Sequence, residues 1–313
     1  MSRQPLLIAQ LSDPHIVANA RLCLNIIDTA SFLREAVETL NRLNPQPDVV
    51  VISGDLVNDG RVNQYEHLRV LLGALHPDLR ANLLLMPGNH DDREHLRQVF
   101  PEHRELFPGV GASDSTAPVR CDFVRDLSGR ELSGHRRPDG STSPGVEGAA
   151  TGAATLRLIA LDTVIAGEPG GDLTESQLRW LEAQLGEFPE RPALVLLHHP
   201  PFATGIAHMD ACGLAPASAS ALAEVISRHP NVQRVSAGHV HRTISRRWAG
   251  TVASTVPSVA HAVALDLRAG SPVAAGTWNY EPPAVTLHYW DGEALITHQR
   301  ACGEFPARKY ESY

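Results

Sequence analysis

The strongest constraint in this chain is where its reactive residues stand relative to its apolar runs. Leu6 to Leu11, Val49 to Ser53, Leu83 to Met86, Leu156 to Leu161, Ala193 to Leu197 and Val232 to Ala237 have the length and character of buried strands. Five of these runs lead into short motifs rich in Asp, Asn and His: Ser12-Asp13-Pro14-His15, Gly54-Asp55, Pro87-Gly88-Asn89-His90-Asp91, His198-His199-Pro200-Pro201 and Gly238-His239-Val240-His241. Between the runs, Thr29 to Leu43, Tyr65 to Leu75, Thr174 to Leu185 and Ala217 to Arg228 carry helical periodicity, and Thr174-Glu175-Ser176-Gln177 reads as a capping box. Strands alternating with helices predict an α/β fold with a parallel or mixed sheet. Ligands of such sheets bind beyond the carboxyl ends of the strands, which is where these residues fall.

After residue 240 the pattern shifts to successive strands: Thr243 to Trp248, Thr251 to Val256, Val259 to Leu267, Ala284 to Trp290 and Ala294 to Gln299. These predict antiparallel hairpins, forming a second sheet packed on the first. Residues 126–153 are dominated by Gly, Ser, Pro and Ala and read as a flexible excursion between strands. No internal repeat is visible.

Composition excludes several classes. The formal charge is −8, and basic runs are no longer than pairs such as Arg136-Arg137 and Arg246-Arg247, so no face for nucleic acid is expected. Cys23, Cys121, Cys212 and Cys302 lack the CxxC spacing of zinc ribbons and thioredoxin-like sites. No run approaches the ~18 apolar residues of a membrane span, and the first residues show no signal-peptide pattern. The expectation is a reduced, cytoplasmic protein without a membrane partner. Its 16 histidines are the outlier and the first pointer to metal chemistry.

Taken singly, each motif is compatible with turn chemistry or a helix cap. Gly238-His239-Val240-His241 is stronger, because alternate strand residues share a face and two imidazoles there suit a metal. Asp13, His15, Asp55, Asn89, His198, His239 and His241 together offer oxygen and imidazole donors without thiolate. That mix suits Mn, Fe, Co, Ni or Zn. Seven donors exceed one tetrahedral ion and match two ions sharing a carboxylate. Two ions ~3.5–4 Å apart can clamp a phosphoryl group and acidify a water between them.

The ordered set Asp13-Pro14-His15, Gly54-Asp55, Gly88-Asn89-His90-Asp91, His198 and Gly238-His239-Val240-His241 resembles that of the calcineurin-like metallophosphoesterases, across residues 11–241. In detail it resembles class III cyclic nucleotide phosphodiesterases, and His198-His199-Pro200-Pro201-Phe202 with Met209-Asp210 is most similar to the glycerophosphodiesterase branch. The resemblance implies a four-layer αββα sandwich of two mixed sheets flanked by helices, with a β-rich C-terminal extension. It implies a metallophosphoesterase domain over 1–267, and 268–313 as an extension serving as cap or oligomer interface. It implies two divalent or mixed-valence ions of Mn, Fe, Zn or Co. The first would take Asp13, His15 and His241, and the second Asn89, His198 and His239, with Asp55 bridging. A hydroxide held between the ions would attack phosphorus, with His90 acting on the phosphate or leaving group rather than as a ligand.

The resemblance makes the substrate a small phosphodiester of the glycerophosphodiester kind, with cyclic nucleotides as the alternative. A phosphomonoesterase and a non-catalytic scaffold are the remaining readings. The Arg of the phosphatases' GDxVDRG is missing from Gly54-Asp55-Leu56-Val57-Asn58-Asp59-Gly60, although Arg61 lies close by. A dianionic monoester would miss that charge more than a monoanionic diester. Phe202, His208 and Asp210, from the segment 202–214, and His261 are the expected substrate-facing residues. The family's habit implies a homo-oligomer.

Overall fold

The computed structural model describes residues 5–106, 120–128, 155–268 and 276–306. The elements of the first half are β1 (Leu6–Leu11), α1 (Thr29–Asn41), β2 (Val49–Ser53), α2 (Val62–Leu72), α3 (Pro77–Ala81), β3 (Leu83–Met86), α4 (Arg93–Val99), β4 (Phe123–Ser128) and β5 (Thr155–Leu161). The second half adds α5 (Glu175–Glu187), β6 (Ala193–Leu197), α6 (Ala207–Asp210), α7 (Pro216–Ser227), β7 (Val232–Ala237), β8 (Ile244–Trp248) and β9 (Thr251–Thr255). It closes with β10 (Ala262–Val263), β11 (Trp278–Asn279), β12 (Ala284–Trp290) and β13 (Leu295–Ala301).

Two mixed sheets form, ordered β13-β12-β1-β2-β3 and β4-β5-β6-β7-β9-β8. Alternation along the strands sorts their side chains into three apolar layers. Leu6, Ile8, Val49, Val51, Leu84 and Met86 face Leu156, Leu158, Ala160, Leu194 and Leu196 between the sheets. Their strand neighbours Ala9, Leu11, Val50, Ile52, Leu83 and Leu85 point outward, where Leu33, Val37 and Leu40 of α1 and Leu68 of α2 cover them. Ile159, Val195, Leu197 and Val235 likewise meet Leu181 and Leu185 of α5 and Leu222 of α7. A strand apolar on both faces needs a partner layer on each side, and the result is the four-layer αββα sandwich.

Register sets the functional edge. Leu11 pairs with Ile52, Ser53 with Met86, and Leu197 with Ala237, so the parallel strands of each sheet end together. The helix expected from Thr174 begins there with a full capping box between Thr174 and Gln177.

The strands after 240 do not together make a second sheet; apart from the small β10–β11 pair they join the two large ones. The β8–β9 hairpin extends the second sheet through β7, and the β12–β13 hairpin extends the first through β1. The run 259–267 is strand only at Ala262–Val263, which pairs with β11. Upstream of that pair the backbone is spent elsewhere: the Val259 amide donates to the Ser12 carbonyl and the Ser258 hydroxyl to the Asp13 carbonyl. Of the expected excursion, Asp126, Leu127 and Ser128 belong to β4, and 129–153 lie outside the described residues. The expected boundary at 267 lies just before residues 269–275, which are also outside them. No described helix is long and apolar enough to cross a membrane.

Candidate dinuclear metal centre

Five loops carry the donors, and their backbone is unusual. Asp13, His15, Asp55, His239 and His241 have φ of 54°, 44°, 49°, 69° and 56°, the left-handed region that costs ordinary residues roughly 1–2 kcal/mol each. In the loops after β1, β2 and β7 that geometry brings Asp13 and His15 toward one group and divides His239 and His241 between two. Hydrogen bonds hold it: the Asp13 amide donates to the Gly54 carbonyl, the His15 amide to the Asp55 carbonyl, and the His239 amide to the Asp13 carboxylate. Glycine is required at several contacts, two of them against the cluster's own residues. A Cβ at Gly54 would overlap the His198 imidazole, and one at Gly88 the Asp55 backbone.

The donors fall into two groups around Asp55. On one side, His15 Nε2 is 3.5 Å from Asp55 Oδ2 and 3.1 Å from His241 Nε2, which is 3.5 Å from Asp13 Oδ1. On the other, His198 Nε2 is 3.4 Å from Asp55 Oδ1 and 3.1 Å from Asn89 Oδ1, which is 3.0 Å from His239 Nδ1. Each group has four donors, and the two oxygens of Asp55 serve one each. All the imidazoles and both carboxylates are buried.

The outer nitrogens of these rings decide which nitrogen is free. His198 Nδ1 lies 2.9 Å from the Ser53 carbonyl and His241 Nδ1 2.9 Å from the His261 carbonyl. A carbonyl only accepts, so both Nδ1 atoms carry protons, and in the neutral rings both Nε2 atoms present lone pairs. His15 Nδ1 has no partner among the described residues. Acceptors facing acceptors inside a buried cluster are repulsive until a cation stands among them. The residues present fit two divalent ions.

The electrostatics carry the same demand. Burial would raise Asp13 and Asp55, but His241 beside the first brings it to about 2 and His198 beside the second holds it well below the carboxylate range. Burial opposes a charge on His198, yet Asp55 lifts it to about 9, so without a cation the cluster takes a proton there. His239, pressed down by burial and then by His198, falls to about 3.

Other residues frame the cluster. The exposed His90 donates its amide to Asp55 Oδ1 at 2.9 Å and its ring Nδ1–H to the Asn58 carbonyl at 2.7 Å, with its ring 4.7 Å from that of His15. His199 is no donor, since Thr163 Oγ1 occupies its Nδ1 at 2.7 Å and the Pro169 carbonyl its Nε2 at 3.3 Å. His261 stands with its ring 4.7 Å from His241 and 5.6 Å from His15. Trp278 lies 5.9 Å beyond it and Tyr280 4.9 Å beyond Trp278.

Two expected substrate residues are otherwise engaged. Phe202 is buried in the outer core of the second sheet. Asp210 closes a local turn, accepting from the Thr204 amide at 2.6 Å and the Gly205 amide at 3.0 Å. His208 is half-buried one turn away on α6. Sequence reasoning missed Asp91, which accepts from the amides of Gly88, Leu56 and Val57 and from the Tyr65 hydroxyl, buckling the β2 and β3 loops together. Its place after Asn89-His90 was the available signal.

Among relatives, the probable glycerophosphodiester phosphodiesterase of Arcobacter nitrofigilis is 31% identical over 301 residues, spanning 96% of this chain and 94% of that protein. A probable cyclic nucleotide phosphodiesterase of Rhodopseudomonas palustris is 33% identical over 292 residues, spanning 92% and 90%. A solved dimetal phosphatase of Danio rerio shares the fold, with a TM-score of 0.59, 17% identity, and coverage of 96% and 97%. Residues 6–243 match the profile of the calcineurin-like phosphoesterases. That span runs from β1 through the last histidine of the cluster, and the chain belongs to this family.

Proposed function

We propose that this protein is a dinuclear metal-dependent phosphodiesterase acting on small diesters of the glycerophosphodiester kind. The observation that carries the reading is the pair of four-donor groups sharing Asp55. Asp13, His15, Asp55 and His241 would hold one ion, and Asp55, Asn89, His198 and His239 the other. Bound there, divalent ions supply Lewis acidity toward phosphoryl oxygens and acidify water. Manganese, iron, zinc and cobalt suit this oxygen and imidazole set. His90 has its Nδ1–H fixed on Asn58, so in its imidazolium form the Nε2–H is the proton that would pass to the departing alkoxide as water's oxygen bonds to phosphorus and the P–O ester bond breaks. Residues 1–267 are the unit we assign to this chemistry. The partner is a small molecule rather than nucleic acid or membrane, and we place the chain in the cytoplasm as a homo-oligomer.

Diester preference follows from charge. Of the arginines near the donor loops in sequence, Arg61 is exposed ahead of α2 and two others are committed elsewhere. Arg93 forks onto Asp162 at 2.7 Å and Arg242 onto Glu281 at 2.6 Å. A monoester dianion would need such a cation in its reactive pose, whereas a monoanionic diester needs it less. With both ions loaded, kcat/KM for bis(p-nitrophenyl) phosphate should exceed that for p-nitrophenyl phosphate by at least about tenfold, ~1.4 kcal/mol. Equal or reversed values would favour a monoesterase. A cyclic nucleotide is the second reading, supported by the Trp278 and Tyr280 rings beside His261, which offer a base a stacking surface. Turnover of glycerophosphodiesters against cyclic nucleotides separates the two.

A further inference from the structure

From the surroundings of His239 we infer that Cys212 is a positioning residue for the second ion, its sulfur holding His239 in the tautomer that presents Nδ1 to the cluster. The inference rests on the ligand assignment above and goes beyond it. His198 and His241 each give their outer N–H to a backbone carbonyl. The outer nitrogen of His239, Nε2, meets no carbonyl and lies 3.4 Å from Cys212 Sγ.

The direction of that hydrogen bond can be worked out. Cys212 Sγ is also 3.4 Å from the His208 carbonyl and 3.5 Å from the Met209 carbonyl. With a cation on Nδ1, as assigned above, the imidazole proton sits on Nε2; the thiol proton then goes to one of the two carbonyls, which only accept, and a sulfur lone pair faces His239. Its Nδ1 is left as a lone pair, 3.0 Å from Asn89 Oδ1, where a cation joins them. The opposite tautomer would aim an N–H at Asn89 and close the position. The short helix α6, packed through Ile206 and Met209 on Val240, carries the His208 and Met209 carbonyls that lie around the thiol. Outer partners of this kind orient ligating histidines, and their loss weakens metal affinity about 10–100-fold.

The test compares the full chain with Cys212→Ala and Cys212→Ser, each stripped of metal and titrated with Mn²⁺ by calorimetry. Serine keeps a hydroxyl that donates to the same carbonyls and accepts from His239; alanine keeps neither. Affinity for the second ion should fall at least about tenfold in Cys212→Ala and stay within about threefold in Cys212→Ser, with the first ion unchanged in both. In the parent loaded with diamagnetic Zn²⁺, ¹⁵N spectra of histidine should show His239 protonated at Nε2, and that N–H resonance should shift in Cys212→Ala more than in Cys212→Ser. Wild-type affinity in Cys212→Ala would overturn the proposal, as would equal losses in the two variants, which would report packing alone. A parent chain that takes up fewer than two ions would overturn it together with the ligand assignment.

Discussion

His90 and Asn89 are neighbours in sequence with opposite orientations. Asn89 points its amide oxygen between His198 and His239, while His90 is anchored through its amide to Asp55 and through its ring to Asn58. His90→Ala therefore removes a proton donor without removing a ligand. Two ions per chain should remain and the rate should fall roughly 10²–10⁴-fold, most for a poor leaving group such as glycerol and least for p-nitrophenolate. Metal analysis beside a leaving-group series checks both halves, and a collapse of metal content would make His90 a ligand. The donor residues were legible in sequence because each ends an apolar run. Their outer partners were not, because the carbonyls of Ser53 and His261 are backbone atoms and carry no sequence signature. Phe202 misled for the opposite reason: an aromatic beside a donor loop looks like a platform, but the chain turns it into the core.

Among the elements, the six runs read as strands before residue 240 lie where periodicity placed them, since a strand covered on both faces is apolar throughout and easy to see. Short elements set by capping were invisible. The helix α4 exists because Asp92 accepts from the amides of Glu94 and His95, and four-residue α6 has no periodicity to find. Sheet membership of the tail was also hidden, because pairing β12 with β1 joins residues far apart in sequence. The turns between strand and donor matter as much as the donors. Gly54 and Gly167 both have positive φ, 103° and 79°, but only Gly54 has a histidine against it; Gly167 faces open space. Gly167→Ala should cost roughly 1–2 kcal/mol of stability and leave metal uptake intact. Gly54→Ala should displace His198 and lower uptake below two ions per chain, measured by emission spectrometry. Two ions in Gly54→Ala would show that the loop gives way instead of the ligand.

For the molecule as a whole, buried histidines set the acid limit. His239, His261 and His288 each fall from an ordinary 6.5 to about 3: burial dominates in all three, followed by His198, His241 and Arg234 respectively. Below pH 6.5 the unfolded chain takes up protons that the folded chain refuses, so stability declines as pH drops from there toward 3. Each such group contributes about 1.4 kcal/mol per pH unit. His198, lifted to about 9, acts in the other direction: its contribution is complete below 6.5 and is lost as pH rises through 9. His288 lies outside the cluster, bonded to Gln10 and Thr297. His288→Gln should flatten the stability slope of the metal-free chain between pH 6 and 4 by about one proton, as read by urea unfolding at each pH. An unchanged slope would mean that His288 is already charged in the fold.

The division of the donors between the sheets has a mechanical side. Asp13, His15, Asp55 and Asn89 hang from the first sheet, and His198, His239 and His241 from the second. Under the assignment above, each ion is gripped from both sheets at once, and the grip at His15 and His241 ties positions 226 residues apart. Either ion is then a rivet through the seam, closing a long loop of chain much as a cross-link would. Withdrawing the ions would leave the sheets joined by their apolar layer and by hydrogen bonds such as those of His198 to the Ser53 carbonyl, the His239 amide to Asp13 and Ser236 to Gln10, without the two rivets at the open end.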